Sequence, residues 1–271
     1  MTARAYIIGC PALGLHEAVA DALVSKQRLE QLGWTVVGCN TEPLFGKAGW
    51  LDVRDKLSGA DKALIYYSGH GYAGKVDGRI ETGLYSGTCI SHAWLMANVL
   101  VPLRATTKYL IRIDDACYSG GTLGGRALGA TPGTYKQRVK CALLTAGAQE
   151  PAINEHYKPI DAGDVAVAAC SARQYSYGYF DGGLTEPYHP LNTCGRSLFT
   201  QCFWSAVMAC DYAPGRSLNE INISTQWRCE NSLKSFAKHA GWLTIEPGVK
   251  WPVPNVMLRK GKGVPDNILI A

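Results

Sequence analysis

The sequence predicts an α/β fold in which a mostly parallel sheet carries helices on both of its faces. Two observations lead to this prediction. Short apolar runs, rich in β-branched and aromatic residues, alternate along the chain with segments whose apolar residues recur at helical spacing. The runs are apolar throughout, which is typical of parallel strands that are buried on both faces.

The N-terminal third of the chain contains three predicted strands separated by two predicted helices. The strands are the apolar runs at residues 5–9, 34–38 and 62–67. Residues 16–32 form the first helix, because their apolar residues lie near helical spacing and Gly33 follows as a stop signal. Residues 48–58 also suit a helix, so the pattern is strand and helix in alternation.

The same alternation continues in the rest of the chain. Residues 91–100 form a predicted helix with Ser91 as its N-cap. Residues 196–210 form an amphipathic helix, and residues 217–239 hold one helix or two. No pattern assigns the tail from Gly248 onward. The further strand candidates are residues 108–113, 141–145 and 165–170.

Composition excludes several classes of protein. The chain has 271 residues, of which 47% are hydrophobic and 18% are charged, so we expect a folded protein and not a disordered one. Its net charge of +5 is spread without a run of Lys or Arg, which argues against a nucleic-acid partner. No apolar stretch reaches the ~18 residues of a membrane span, and no signal-peptide pattern opens the chain. We therefore expect no membrane partner and a cytoplasmic location.

The ten cysteines do not form a metal or redox motif. No two of them make a C-x-x-C pair, which excludes zinc-ribbon and thioredoxin-type sites. Several lie within apolar runs, so we expect buried free thiols in a reducing compartment. Cys117 is the exception, because it follows a strand in a polar and Gly-rich setting.

Two candidate catalytic residues follow two of the predicted strands. His70 comes directly after the third strand with a glycine on each side, and Cys117 comes after the fourth. Ligands bind beyond the carboxyl ends of the strands in an open parallel sheet, so neighbouring strands would make the two side chains face one cleft. An imidazole can activate a thiol and then protonate a leaving amine. A single His or Cys is more often structural, but the joint placement favours a Cys/His dyad.

The residues around this pair resemble the catalytic motifs of a known family. The segments Tyr66-Tyr67-Ser68-Gly69-His70-Gly71 and Asp115-Ala116-Cys117-Tyr118-Ser119-Gly120 are similar to those of the caspase-like cysteine peptidases. Cys117 follows His70 by 47 residues, against about 50 in caspases. Caspases have Gln where this chain has Asp115, so the resemblance is closest to the metacaspase and bacterial orthocaspase branch.

The resemblance covers most of the chain and implies a caspase-like sheet of six strands. Residues 16–33 resemble the first helix of the family, with Asp21 at its characteristic acidic position. Residues 164–210 resemble the small-subunit half, including the helix start from Gly195 to Thr200. The implied organisation is a single peptidase domain over residues 1–271. Within it, residues 1–125 are large-subunit-like, residues from about 126 to 160 form a linker, and residues 161–271 are small-subunit-like.

The resemblance also assigns a role to each catalytic residue. Cys117 would attack the scissile carbonyl as the nucleophile, and His70 would act as general acid and base. The backbone N–H groups of Gly71 and Cys117 would form the oxyanion hole, a use to which the turns around these glycine-flanked residues are suited.

The same family pattern implies an acidic pocket for the P1 residue, formed by Asp115 and Asp21. A carboxylate in a partly desolvated pocket selects Arg or Lys, so protein or peptide substrates with P1 Arg or Lys are expected. Alternation along an extended strand favours Asp115 over Asp114 as the residue that shares a face with Cys117. Two alternatives without a role in substrate binding stay open. Asp115 could be a loop carboxylate that caps a backbone N–H, and Asp21 could be a solvated helix residue.

Calcium activation, known in many metacaspases, is not expected to depend on the matching region of this chain. Residues 72–90 hold only Asp77 and Glu81 as acidic side chains, whereas calcium takes six to eight oxygen ligands. We therefore predict no cofactor and no metal, with carboxylates from elsewhere in the chain as the open alternative.

Self-cleavage is a further implication of the resemblance. The predicted linker contains basic residues at which an enzyme with this preference could cut, and a solvated surface charge is the alternative interpretation of each. These residues are Arg126, Lys136, Arg138 and Lys140, with Lys158 further on.

Two other functions share some of these features. The chain could be an inactive caspase-like scaffold that binds a partner, or a related peptidase of the same clan with a different P1 preference. The intact His70 and Cys117 pair argues against the scaffold. Metacaspases are mostly monomeric, so the resemblance favours a monomer.

Overall fold

The computed structural model describes residues 1–76, 79–116, 119, 161–170, 196–211, 217–239 and 256–270. The described residues form nine strands. In chain order these are Ala3–Gly9 (β1), Thr35–Asn40 (β2), Lys62–Ser68 (β3), His70–Val76 (β4), Arg79–Tyr85 (β5), Cys89–Ser91 (β6), Tyr109–Asp115 (β7), Asp164–Ala168 (β8) and Met257–Lys260 (β9).

Six of these strands make one sheet in the order β2-β1-β3-β7-β8-β9. The first five run parallel to one another, and β9 is antiparallel to β8 at the edge. The mostly parallel six-stranded sheet predicted from the apolar runs and from the family resemblance is thereby confirmed. The strand predicted at residues 141–145 lies outside the described residues.

Helices cover both faces of the sheet, as predicted. They are Glu17–Gln31 (α1), Gly46–Leu57 (α2), His92–Leu95 (α3), Val101–Arg104 (α4), Leu198–Asp211 (α5) and Leu218–His239 (α6), with a π-helical turn at Met96–Leu100 between α3 and α4. Gly33 ends the first helical region at a φ of 87°, and the Ser91 hydroxyl accepts a hydrogen bond from the Trp94 amide at 3.1 Å. Both predicted helix boundaries are therefore correct, and residues 218–239 form one helix.

The register of the strands explains why both faces are apolar. On the first face, Ile7, Tyr66 and Ile113 form one row across β1, β3 and β7, and α1, α5 and α6 pack on it. On the second face, Ile65 and Tyr67 lie beneath α2, α3 and α4. Burying one such large side chain contributes about 1.5–3 kcal/mol, so the strands are held from both sides.

A second sheet of three antiparallel strands, β4-β5-β6, was not predicted from the sequence. Its first strand begins at His70, which pairs with Tyr85. The strand β9 was also missed, because it lies in the tail that showed no pattern.

Residues 269 and 270 form hydrogen bonds at the amino ends of the strands in the main sheet. The Trp34 indole N–H donates to the carbonyl of Leu269 at 2.6 Å, and Lys62 Nζ donates to the carbonyl of Ile270 at 2.6 Å. Because Lys62 begins β3, these contacts lie at the amino ends of the strands, away from His70. None of the helices in the described ranges has the length and apolar character needed to cross a membrane.

Candidate active site

The apolar rows on the first face of the sheet give way to a polar row at the carboxyl ends of the strands. Gly9, Ser68 and Asp115 lie side by side there, on β1, β3 and β7. Ser68 and Asp115 are fully buried. The carboxyl edge of a parallel sheet is where ligands bind, so this row marks the candidate site.

Helix α1 approaches this edge closely because β1 ends in a glycine. A Cβ atom at Gly9 would overlap the Ala18 carbonyl and lie 2.6 Å from the Ala22 Cβ, so only glycine allows the helix to lie here. The approach places Asp21 over the row, where the Ser68 hydroxyl donates to its Oδ2 at 2.7 Å. Asp21 is completely buried, so its interpretation as a solvated helix residue is wrong.

The start of α5 brings a second set of donors to the same place. The Ser197 amide donates to Asp21 Oδ1 at 2.9 Å, and the Ser197 hydroxyl donates to Asp115 Oδ2. The Thr200 hydroxyl donates to the same oxygen of Asp115 at 2.6 Å. The two aspartates predicted to share a pocket are therefore brought together through one residue, Ser197.

Tyr66 completes this group from the middle of β3. Its hydroxyl is hydrogen-bonded to the Thr200 hydroxyl. Thr200 has one proton and gives it to Asp115, so Tyr66 must be the donor to Thr200. Full burial, and then the negative charges of Asp21 and Asp115, raise the pKa of Tyr66 well above its ordinary value. Tyr66 therefore stays protonated and remains a donor throughout the neutral range.

His70 lies at the carboxyl end of β3, two residues after the polar row, and it is buried with 6% exposure. The Gly69 amide donates to the Asp115 carbonyl at 3.2 Å, which ties the turn before His70 to the end of β7. The Tyr67 hydroxyl lies 3.0 Å from the His70 carbonyl oxygen and 2.8 Å from that of Tyr85, so the two acceptors share its single proton. These bonds fix the backbone from which the imidazole projects.

Two glycines beside His70 are buried in this turn. A Cβ atom at Gly69 would overlap the Tyr67 hydroxyl, so the turn requires glycine there. Gly71, the predicted oxyanion donor, lies on β4 and pairs with Leu84 on β5. The backbone around His70 is thus set by β3 on one side and by the small antiparallel sheet on the other.

Cys117 lies outside the described residues, but residues close to it on both sides are described. The Ser119 amide donates to the Ala116 carbonyl at 3.3 Å. Cys170, which follows β8, donates from its Sγ to the same carbonyl at 3.3 Å and from its amide to Ser119 Oγ at 3.4 Å. A cysteine in an apolar run predicts only a packed thiol, but Cys170 also contacts the Ala116 carbonyl and the Ser119 side chain, which lie on either side of Cys117.

Cys10 fits the buried packing role predicted for cysteines in apolar runs, whereas Cys39 and Cys89 are exposed. Cys10 is fully buried beyond the end of β1, and burial raises the pKa of its thiol. Desolvation also raises the pKa of Cys39 and Cys89, which are exposed residues on β2 and β6. A raised pKa keeps a thiol protonated and unreactive at neutral pH.

The two neighbouring aspartates point to opposite faces of the sheet, as alternation along an extended strand predicts. Asp115 points to the first face, whereas Asp114 points to the second face and pairs with Arg112 at 2.5 Å. Asp115 is the last residue of a strand, so its alternative interpretation as a loop carboxylate is wrong. Asp115 does accept hydrogen bonds at a helix start, and their donors are the hydroxyls of Ser197 and Thr200.

Several predicted residues lie outside the described residues. They are Asp77 of the region considered for calcium, and the possible cleavage residues Arg126, Lys136, Arg138, Lys140 and Lys158. Within the described ranges, no group of three or more His, Cys, Asp or Glu side chains is arranged to hold a metal ion.

Sequence reasoning did not assign roles to Ser68, Ser197 and Thr200. Each occurred inside a quoted motif, but a hydroxyl carries no sign of its partner when the partner is 47 to 85 residues away. The available signal was that Ser197 and Thr200 lie in the first turns of the predicted helix over residues 196–210, where donors to a carboxylate are common.

Together, the strand order, the glycine-flanked histidine and the acidic strand end define an α/β protein with the caspase-like fold. The comparison with protein families extends this from fold to family. The family profile described as "Caspase domain" matches residues 2–234, and the chain belongs to this family.

Three solved structures that share the fold are distant from this chain in sequence. Protein GSU0716 from Geobacter sulfurreducens is 14% identical with a TM-score of 0.54, and the match covers 100% of this chain and 97% of that one. Caspase-1 from Spodoptera frugiperda is 12% identical with a TM-score of 0.51, covering 96% of this chain and 87% of that one. The structure titled pro-sf-caspase-1 is 14% identical with a TM-score of 0.50, covering 96% and 86%. No curated protein matches the sequence.

Proposed function

We propose that this chain is a cysteine endopeptidase of the metacaspase-like branch that cleaves after Arg or Lys. The observation that carries the proposal is the pair of buried carboxylates, Asp21 and Asp115, joined through Ser197 at the strand edge that leads to His70. Membership of the caspase-domain family supplies the reaction class, and this acidic pair supplies the specificity.

The proposed reaction is acyl transfer to a thiol followed by hydrolysis. The Cys117 thiolate attacks the scissile carbonyl, and the resulting oxyanion accepts hydrogen bonds from the N–H groups of Gly71 and Cys117. His70 takes the thiol proton and gives it to the leaving amine. Water, deprotonated by His70, then attacks the thioester and releases the acid product with the free thiol.

The specificity follows from charge and geometry. A P1 guanidinium or ammonium would bind against Asp115, with Asp21 as the second carboxylate. The Ser68, Ser197 and Thr200 groups that donate to these carboxylates are uncharged, and they orient the oxygen atoms. A P1 Asp would meet two like charges and is therefore expected to be rejected.

Fluorogenic peptides that differ only at P1 test the proposal. We expect cleavage of the Arg and Lys peptides, none of the Asp peptide, and loss of all activity in Cys117→Ala and His70→Ala. Cys39→Ala, which removes an exposed thiol of another strand, is the matched control and should keep full activity. Cleavage after Asp alone would refute the pocket. If the chain cleaves no peptide and Cys117 is no more reactive towards iodoacetamide than Cys39, the chain is a scaffold.

Self-processing is the second element of the proposal. Mass spectrometry of the wild-type chain and of Cys117→Ala, after identical storage, should show fragments ending at Arg126, Lys136, Arg138, Lys140 or Lys158 in the wild type alone. Identical fragments from both proteins would exclude self-processing.

The remaining elements of the proposal concern the state of the enzyme. We propose one catalytic domain over residues 1–271 that acts as a monomer in the reducing cytoplasm without a required metal. Sedimentation velocity of the active chain, and activity measured with and without EDTA or added calcium, test the two solution properties. A dimer as the active species, or activity that requires calcium, would correct them.

A further inference from the structure

Ser197 is the residue through which the two candidate pocket carboxylates meet. It is fully buried at the start of α5, and its two donor groups go to two different aspartates. Its amide donates to Asp21 Oδ1 at 2.9 Å, and its hydroxyl donates to Asp115 Oδ2. Asp21 belongs to α1 and Asp115 to β7, so one residue fixes the distance between carboxylates on separate elements.

The Ser68 and Thr200 hydroxyls each hold one of the two carboxylates. The Ser68 hydroxyl donates only to Asp21 among these two, at 2.7 Å, and the Thr200 hydroxyl donates to Asp115 at 2.6 Å. These bonds orient each side chain on its own element. Ser197 is therefore the residue that turns two oriented carboxylates into one acceptor unit of fixed spacing.

Fixed spacing matters most for a guanidinium group. Its five N–H donors lie in one rigid plane, so it gains most from acceptors that are already at matching positions. An ammonium group is a compact charge with rotatable donors and depends less on the spacing. A residue that sets the spacing should therefore affect the binding of Arg more than that of Lys.

We propose that Ser197 is a positioning residue that couples Asp21 and Asp115 into one guanidinium-binding unit. This inference rests on the proposed function, because it identifies the acidic pair as the P1 pocket. Ser197 does not touch the reacting atoms in this scheme, so it acts on substrate binding and on the choice between Arg and Lys.

Binding of agmatine to the full-length chain, measured by calorimetry in a Cys117→Ala background, tests the coupling without peptidase activity. Agmatine carries the guanidinium of Arg, and butylamine serves as the ammonium probe. Ser197→Ala removes the hydroxyl and keeps the amide, and we expect agmatine to bind about tenfold more weakly. Butylamine binding should fall about threefold at most, and Ser197→Thr, which keeps the hydroxyl, should stay within about twofold of the wild type.

Ser86→Ala is the matched control for loss of a buried hydroxyl. Ser86 is fully buried on the second face side of the fold, where it accepts a hydrogen bond from the Trp50 indole N–H at 3.3 Å. Agmatine binding should be unchanged in this variant. If Ser197→Ala fails to fold, Ser197→Cys replaces it, with an expected weakening of about threefold because a thiol is a weaker donor.

Steady-state kinetics distinguish a positioning role of Ser197 from a loss of folded or active enzyme. On a P1 Arg peptide, Ser197→Ala should raise KM with little change in kcat, since His70 and Cys117 are untouched. Agmatine binding equal to that of the wild type in Ser197→Ala, or in Ser197→Cys where that variant is used, would overturn the inference. A wild-type chain that does not bind agmatine would overturn it as well. A wild-type chain that binds agmatine but cleaves no peptide would refute the proposed peptidase and leave the role of Ser197 standing.

Discussion

Asp114 and Asp115 are adjacent and chemically identical, yet the two faces of β7 treat them differently. Asp114 lies on the second face and pairs with the buried guanidinium of Arg112 at 2.5 Å. Asp115 lies on the first face and accepts hydrogen bonds from the uncharged hydroxyls of Ser197 and Thr200. The difference shows how one residue type serves the fold on one face and a candidate ligand site on the other.

The physical distinction is between neutralising a charge and orienting it. Arg112 gives Asp114 a counter-ion from its own strand, so removing either partner leaves the other charge buried. The Ser197 and Thr200 hydroxyls carry no charge, so they orient the oxygen atoms of Asp115 without themselves supplying a counter-ion. Asp114 is therefore expected to matter for stability, and Asp115 for the binding of a cation.

The largest expected effect comes from breaking the Asp114 pair. Asp114→Ala leaves the Arg112 guanidinium without this counter-ion in the buried face, and we expect a loss of about 3–5 kcal/mol in the free energy of unfolding. Urea denaturation followed by circular dichroism measures it. The double variant Arg112→Met with Asp114→Leu removes both charges and should recover most of the loss. A loss below about 1 kcal/mol in the single variant would show that the pair is not structural.

The next largest effect is the difference in peptidase activity between variants of Asp115 and of Asp114. Asp115→Asn keeps the shape of the side chain and removes its charge, so kcat/KM on a P1 Arg peptide should fall about 100-fold. Asp114→Asn is the matched control and should leave kcat/KM, expressed per folded molecule, within about twofold of the wild type. Equal losses of specificity in the two variants would contradict the division of roles between the faces.

Acid should lower the free energy of unfolding through His92, which lies near Arg112. Burial, followed by the positive charges of Arg112 and Arg104, lowers the pKa of His92 to about 3. Its folded pKa is below the unfolded value of ~6.5, so His92 contributes full stability above pH ~6.5 and loses it as pH falls towards 3. Between pH 7.5 and 5.5 we expect unfolding to become easier by about 1–2 kcal/mol, and His92→Gln should flatten this slope. An unchanged slope in that variant would refute the assignment to His92.

The smallest effect concerns the hydroxyl chain behind Asp115. Tyr66→Phe removes the donor to Thr200 and should cost about 1 kcal/mol in unfolding free energy at pH 8, as measured in urea. The pKa of Tyr66 is raised in the folded state, so its contribution is complete below pH ~10 and is lost as pH rises further. The variant should therefore lose less stability than the wild type between pH 9 and 11. A steeper loss in the variant would contradict the buried, protonated state of Tyr66.

The elements of the fold that were predictable are those where the sequence alone determines burial. The strands around Ile7, Tyr66 and Ile113 are apolar at successive positions, which is enough to place them inside a parallel sheet. The three-stranded sheet was missed because residues 70–91 are rich in glycine and polar residues and lack an apolar strand pattern. The pairing of its strands is visible only in the structure. The edge strand Met257–Lys260 has a half-polar sequence, and β8 supplies its hydrogen bonds.

For the candidate site too, the sequence predicted what depends on local geometry and missed what depends on distant partners. Alternation along β7 was enough to predict that Asp114 and Asp115 point to opposite faces, because that orientation depends on local geometry. Asp21 came from the family resemblance, and only the close approach of α1 to Gly9 explains why it is buried. The roles of Ser197 and Thr200 could not be predicted, since each depends on a partner more than 80 residues earlier in the chain.

The residues of the acidic pair and the hydroxyls that hold it come from both sides of the predicted linker. Asp21, Ser68 and Asp115 precede the predicted linker, whereas Ser197 and Thr200 follow it. β8 also pairs with β7, so the two portions share one sheet and one apolar interior. A gene divided within residues 126–160 should therefore yield two polypeptides that complement each other into a single particle, and neither portion should assemble the acidic pocket alone.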